Sequence, residues 1–437
     1  MNFIDRNVDA IFNMELHLAT TSNTTVHATV EYPVGIFLAN ATILADNVTV
    51  VSLPLDVAFA WIEGFGPQSN SIRVFSEEAE FTVYVVNRAT STSDAALALP
   101  IEALNNKYIL VDYSSRFTDS PPEFVVTAVQ NRTRVTITPT AELIGRPANV
   151  PFTITLNRGE SYYGTAIVAS GGTTTLTGTV IETTKPVSVT NGVRCGNVFP
   201  TTASCDHIFE VAHPVQTWGN TSVATGLPER PGGSVYRVVA AEDNTTVSIV
   251  AESRSRNILL DGGEYYETPE RNGGVVVVAD GPIFVVQYMT GQQRPGAGRG
   301  DPSMVNIIPT DQYLKRYLFA TIGDEQFDTH YVSVIVHNVD VGSFFLDGLT
   351  IGNSSFTEIG DSGFSSAQIT LSEGVHTTQS LYGGHTISVI GTSSSGSYAY
   401  PGGAGFDVID QPSAALALSY RKGPGQRLYM FHDSTEP

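Results

Sequence analysis

The chain is short of positive charge and of cysteine. Among its 437 residues, 23 are Lys or Arg against 43 Asp or Glu, giving a formal charge of −20, and only two are Cys. A protein this acidic repels phosphate backbones, which excludes nucleic acid as a partner and disfavours anionic membrane surfaces. Basic patches on other proteins and dissolved cations remain open. Charged residues of both signs make up 15%, below the usual ~25%, so solubility rests on Ser, Thr, Asn and Gly. Such surfaces are common on secreted all-β proteins. No apolar run approaches the ~18 residues that span a bilayer; Val275 to Val278 is typical of the longest. No helical stripe exceeds about ten residues, and the best helical candidate is a short turn at Ile101 to Asn105. Met1 to Ala10 is charged and has no apolar core of a signal peptide, so a secreted chain of this sequence is expected to be a piece of a longer protein. Catalytic motifs are missing too. There is no Gly-x-Ser-x-Gly, no His-Glu-x-x-His and no phosphate-binding glycine loop. The nearest cluster is Asp206-His207 with Glu210 and His213. Neighbours on an extended segment point to opposite faces, so a structural role is expected there. No catalytic residue, cofactor or metal is expected.

Alternating β-branched residues fill the chain instead. Phe124 to Val129 and Arg134 to Thr138 flank the polar turn Gln130 to Thr133, and Val235 to Ala240 and Val247 to Val250 flank Glu242 to Thr245. Both pairs read as β-hairpins. A Leu-x-x-Gly turn recurs at Leu156–Gly159, Leu260–Gly263 and Leu371–Gly374, with Leu44–Asn47 as a fourth copy. A strand then follows at Phe81, Pro186, Pro282 and Thr386, and after it a connector: Ser93–Pro100, Asp206–Pro214, Asp301–Pro309, with Ser413–Leu418 echoing it. Three features recurring in one order predict four diverged β-repeats of about 100 residues. The expected boundaries are 1–107, 108–219, 220–316 and 317–419, followed by a tail at 420–437. The expected fold is all-β, with sandwich-like units packed side by side or closed into a propeller-like ring.

Cys195 and Cys205 are close enough to close a small disulfide loop. A metal site with His207 and two free thiols are the alternatives, although Cys-x9-Cys is not a usual zinc spacing. Asn23, Asn40, Asn47, Asn131, Asn220, Asn244 and Asn353 begin Asn-x-Ser/Thr sequons and are glycosylation candidates, several of them in expected turns. Arg299-Gly300-Asp301 in a Gly/Pro-rich loop is a candidate integrin-type tip, though a tripeptide is a weak signal.

Several stretches carry a resemblance: Tyr108-Ile109-Leu110-Val111, Asp243 to Val247, Leu176 to Val180 leading to Lys185-Pro186-Val187, Asp301 to Met304, and Tyr398 to Gly402. The most specific is Cys195, then Cys205-Asp206-His207, Pro214-Val215 and Trp218-Gly219. Together they resemble the N-terminal module of the IgG Fc-binding protein family over residues 12 to 420. The resemblance implies a secreted or cell-surface protein, often in mucus, that binds rather than catalyses. It also implies that Cys195 and Cys205 form the module's disulfide. Its ligand would be an extracellular protein or glycan, such as a mucin or an immunoglobulin-like protein. Gly300-Asp301-Pro302-Ser303 lacks the His of the family's Gly-Asp-Pro-His cleavage site, so no self-cleavage is expected. A structural spacer in a larger secreted protein, or a carbohydrate-active enzyme, are the competing functions.

Overall fold

Residues branched at Cβ pack well on a pleated surface, so runs such as Thr245–Ala251 and Val275–Met289 form strands. In the computed structural model nearly all regular structure is strand, and the remaining elements are 3-10 turns, including Ile101–Ala103. The structure describes residues 13–45, 47–54, 66–89, 92–170, 172–199, 205–230, 232–251, 254–292, 298–323, 327–394 and 396–409.

The third unit shows the plan. Its long strand Val275–Met289 pairs through its first half with Thr245–Ala251 and Gly219–Ala224. Through its second half it pairs with Ser234–Ala240 and Ser303–Ile307. The unit is therefore two antiparallel sheets that share one long strand. The second unit repeats this with Val180–Gly196, paired first with Thr133–Thr138 and Asn105–Ile109, then with Pro122–Ala128 and Asp206–Val211. In the fourth unit the long strand is split into Val375–Ser380 and His385–Thr392, with the same neighbours in kind.

The expected hairpins are not hairpins. Pro122–Ala128 and Thr133–Thr138 do not pair with each other; both run antiparallel to the same long strand, one beside each half. Ser234–Ala240 and Thr245–Ala251 behave alike. The polar turn between them is thus a corner where the chain passes from one sheet to the other. Leu156–Gly159 and Leu260–Gly263 turn the same corner one strand further out, with Gly159 at φ +81° and Gly263 at φ +84°. Reciprocal side chains lock the two corners. In the second unit the Arg158 N–H donates to Asn131 Oδ1 (3.0 Å) and the Arg132 N–H to Asn157 Oδ1 (3.3 Å). In the third, the Gly262 N–H donates to Asp243 Oδ1 (2.9 Å) and the Asn244 N–H to Asp261 Oδ1 (3.0 Å). Leu371–Gly374 does not share this place. It leads directly into the long strand at Val375, so there Leu-x-x-Gly marks only a common turn chemistry.

The expected connectors are strands. Thr92–Leu97, Asp206–Val211, Ser303–Ile307 and Ser397–Pro401 are the inner strands of the four units, and each packs against two of the others in a circle. The sandwich-like units therefore close into a ring. Ser413–Leu418 lies outside the described residues, and the fourth inner strand is Ser397–Pro401 instead. Polar contacts run round the circle. The Thr92 hydroxyl donates to the Asp206 carboxylate, and the Asn306 amide donates to the Val211 carbonyl at 3.0 Å. Ser397 Oγ donates to the Asp301 carbonyl at 2.6 Å, and Ser93 Oγ to the Ser397 carbonyl at 3.1 Å. At the centre, the buried Asp94 carboxylate accepts N–H groups from Ala95 (2.9 Å), Phe209 (3.1 Å), Ala399 (3.4 Å) and Met304.

Burial pushes the carboxyls of Asp94, Asp206 and Glu210 up. Burial likewise raises Asp301 to about 6, although Arg230 pulls against it. A carboxyl raised on folding binds a proton that the unfolded chain has already released, so its contribution to stability falls as pH rises through that window. Asp301→Asn removes that term. The variant is expected to gain stability relative to the parent between about pH 4 and 6. Calorimetric unfolding temperatures across that range check this, and a parallel pair of curves would refute it.

Candidate binding cleft

A cleft of about 1700 Å³ lies between the first unit and the second and is also lined by Leu314, Arg316 and Leu318 of the fourth. One wall is apolar. Met14, Leu16, Val83 and Val85 stand on Asn13–Ala19 and Thr82–Ala89, the sheet that holds the first inner strand. The opposite wall is the outer face of the second unit, where alternation places Thr127, Ser161, Tyr163, Ser188 and Thr190 on one side. Thr127 and Ser161 share a 2.8 Å hydroxyl contact across their strands. Arg194 extends this wall and donates to Glu123 Oε1 at 3.0 Å. Glu123 is buried, and that burial raises its carboxyl in spite of Arg194. Burial raises the Tyr163 phenol as well, helped by the Glu123 charge. Leu97 to Leu104 forms the floor, and Glu77, Glu78 and Glu80 lie along the first unit's side. Among these, Glu78 accepts the His27 backbone N–H at 2.7 Å, which holds its carboxyl below the usual range.

Of the sequence candidates, Asn131 lines the cleft and the others lie elsewhere. Cys195 and Cys205 are joined as a disulfide. On either side of it, the end of the long strand Val180–Gly196 pairs with the inner strand Asp206–Val211. The disulfide ties off the loop between two bonded strands. Replacing both cysteines with Ser is therefore expected to remove roughly 2–3 kcal/mol, the chain-entropy value for so short a loop, with the sheet retained. Proteolysis is expected to rise only inside the loop, since Phe209 is buried in a strand. Limited digestion with mass spectrometry reads this out; cleavage at Phe209 would contradict it. No group of three or more His, Cys, Asp or Glu among the described residues is arranged to hold a metal.

Asp206 and His207 point apart, as expected: Asp206 meets Thr92, whereas His207 Nε2 meets Asn87 Nδ2 at 3.2 Å. Burial lowers His207 to about 3, so its ring is neutral. Arg299-Gly300-Asp301 is not presented as a tip. Asp301 and Gly300 are buried, Arg299 pairs with Asp328 at 2.6 Å, and Arg230 donates to the Gly300 carbonyl at 3.1 Å. The integrin-type reading fails on that burial. All seven sequon asparagines, Asn23, Asn40, Asn47, Asn131, Asn220, Asn244 and Asn353, are exposed.

No residue pattern announced the cleft. Its lining is drawn from segments far apart in the chain, from Met14 to Phe406.

The molecule is thus a closed ring of two-sheet β-units with a binding-sized cleft between two of them. The family model for IgGFc binding protein matches residues 94–391, well over half the chain, and the chain belongs to that family. No curated protein and no solved structure matches it. No helix among the described residues is long and apolar enough to cross a membrane.

Proposed function

We propose that the chain is an extracellular, non-catalytic module that binds a protein or glycan ligand in the cleft between its first and second units, in mucus or at a cell surface. The observation that carries this reading is the cleft itself, large enough for a ligand and walled by an apolar and a hydroxyl-rich face. Membership of a family named for binding antibody Fc supports a protein ligand. The disulfide and seven exposed sequons support an oxidising, secretory route. The carboxylates that approach one another, Asp94, Asp206 and Glu210, lie sealed in the ring centre, which favours binding over hydrolysis. The division into four units belongs to the same proposal, with its boundaries moved from 107, 219 and 316 to just ahead of Asn105–Ile109, Gly219–Ala224 and Arg316–Ala320.

The test is a screen of the immobilised chain against antibody Fc, mucins, matrix proteins and glycans. Ser188→Arg, placed on the hydroxyl wall, is expected to weaken the captured ligand by about tenfold or more. Failure of every ligand in the panel, or capture indifferent to Ser188→Arg, would remove the cleft from consideration.

A further inference from the structure

The sheet-to-sheet corner is built alike in the second and third units, yet one residue differs in kind. In the third unit the Gly262 N–H donates to a carboxylate, Asp243 Oδ1, at 2.9 Å. In the second unit the matching acceptor is an amide, Asn131 Oδ1, which takes the Arg158 N–H at 3.0 Å. A carboxylate can therefore do this work, and the charges around residue 131 favour one. Arg132 follows it in the chain, Arg158 is its bonded partner, and the Lys185 ammonium donates to its carbonyl at 2.5 Å. The corner thus gives no reason for an amide. What Asn131 has that Asp lacks is Nδ2, and that atom stands in the sequon Asn131-Arg132-Thr133. The Thr is part of the corner in both units: Thr133 Oγ1 donates to the Gln130 carbonyl at 2.8 Å, and Thr245 Oγ1 to the Glu242 carbonyl at 2.7 Å.

The position of Asn131 is also particular. Of the seven sequon asparagines, all among the described residues, Asn131 lines the cleft and the other six do not. It is exposed and bonded to Arg158, which with Gly159 lines the cleft where the first unit meets the second. There Ser71 Oγ donates to the Gly159 carbonyl at 2.7 Å, and Gln68–Ser69 pairs with Glu160–Ser161. Residue 131 therefore stands at the rim, at the end where the two walls are held together, and the hydroxyl wall starts beside it with Thr127 and Ser161.

We propose that Asn131 carries an N-linked oligosaccharide that stands at the rim of the cleft and narrows its entrance. In the attachment step Nδ2 displaces the diphosphate of a lipid-linked oligosaccharide from its anomeric carbon. A C–N bond replaces the C–O bond, and the proton lost from Nδ2 leaves with the diphosphate. Oδ1 is untouched, so the bond from the Arg158 N–H is kept. This rests on the reading of the cleft as the ligand site of a secreted chain and adds what controls entry to it.

The full chain, directed through the secretory route of animal cells by a fused signal peptide, is digested and its glycopeptides are read by mass spectrometry. Asn131 is expected to carry sugar, and a bare Asn131 overturns the proposal. Asn131→Asp removes the sugar and copies the third unit's corner, so the fold should be kept. Hydroxyl-radical oxidation of Phe81 and Tyr163, which line the cleft, should then rise about twofold or more. Association with those of antibody Fc, mucins, matrix proteins and glycans that the chain captures should quicken about threefold or more. Asn244→Asp, which removes a sequon away from the cleft, should change neither reading. The chain made in a bacterial periplasm, where Asn131 stays bare, should match Asn131→Asp; a mismatch would assign the effect to the added charge and overturn the gate. If capture is lost on Ser188→Arg but is the same with and without the sugar, the cleft stands and the gate falls. If Ser188→Arg has no effect, both fall.

Discussion

Asp94→Ala is expected to destabilise the protein by about 3–5 kcal/mol, the range for leaving buried polar partners uncompensated. One carboxylate accepts N–H groups from its own strand and from the inner strands of the other three units. Removing it leaves donors on all four inner strands without an acceptor, in a place closed to water. Part of the loss is offset, because the substitution also removes a carboxyl that burial has pushed up. The donors outnumber that single desolvation term, so the net sign is destabilising. Asp94→Asn keeps one carbonyl oxygen and should lose about half as much. Urea denaturation followed by circular dichroism measures both. A loss below about 1 kcal/mol for the Ala variant would show that the inner strands hold the circle without this hub.

Trp218→Ala is expected to lose about 3–5 kcal/mol, the usual range for emptying a buried indole site. The indole is 2% exposed and stacks on Phe284 at a centroid distance of 5.2 Å, and its N–H donates to the His213 carbonyl at 3.2 Å. Its surroundings come from two units: Ile109, Val111 and Tyr113 from the second, Val235, Val239 and Tyr288 from the third. The effect should therefore appear first as opening between those units. Hydrogen exchange should rise in Asn105–Ile109 and Ser234–Ala240 before the first unit responds. Trp218→Phe keeps most of the stacking and loses the hydrogen bond, and should fall between the two. Uniform acceleration of exchange across all units would contradict an anchoring role.

How far the sequence carried these conclusions depended on what each signal encodes. Period-2 alternation marks a residue run as a strand but does not say which strand lies beside it. That is why Phe124–Val129 and Arg134–Thr138 read as a hairpin although they lie end to end along Val180–Gly196. The inner strands were hidden for a different reason. Alternation comes from having one wet face, and Thr92–Leu97 and Asp206–Val211 have none: all their residues are buried, polar ones included. Asp206, Glu210 and Asn306 look like loop residues in sequence, yet each hydrogen-bonds to a neighbouring unit. The disulfide was readable because Cys195 and Cys205 are close in the chain, and sequence separation bounds what can close. Arg299-Gly300-Asp301 misled because its burial depends on Arg230, which is far away in sequence. The cleft had no motif at all, since its lining comes from three units and no single stretch holds it.

The circle of inner strands has a consequence for how this architecture can vary over time. A linear stack of repeats can lengthen or shorten at an end, because a new end buries the old one and presents a similar face. A circle has no end. Deleting one unit here would strip partners from two neighbours at once and leave Asp94 with donors on fewer sides. Inserting a fifth would widen a centre that one carboxylate now spans. Unit number is therefore locked by geometry, and inherited change is confined to the corners, the loops and the surfaces between units. Relatives that share this ring should differ most in those places while keeping four inner strands, however far their sequences have drifted.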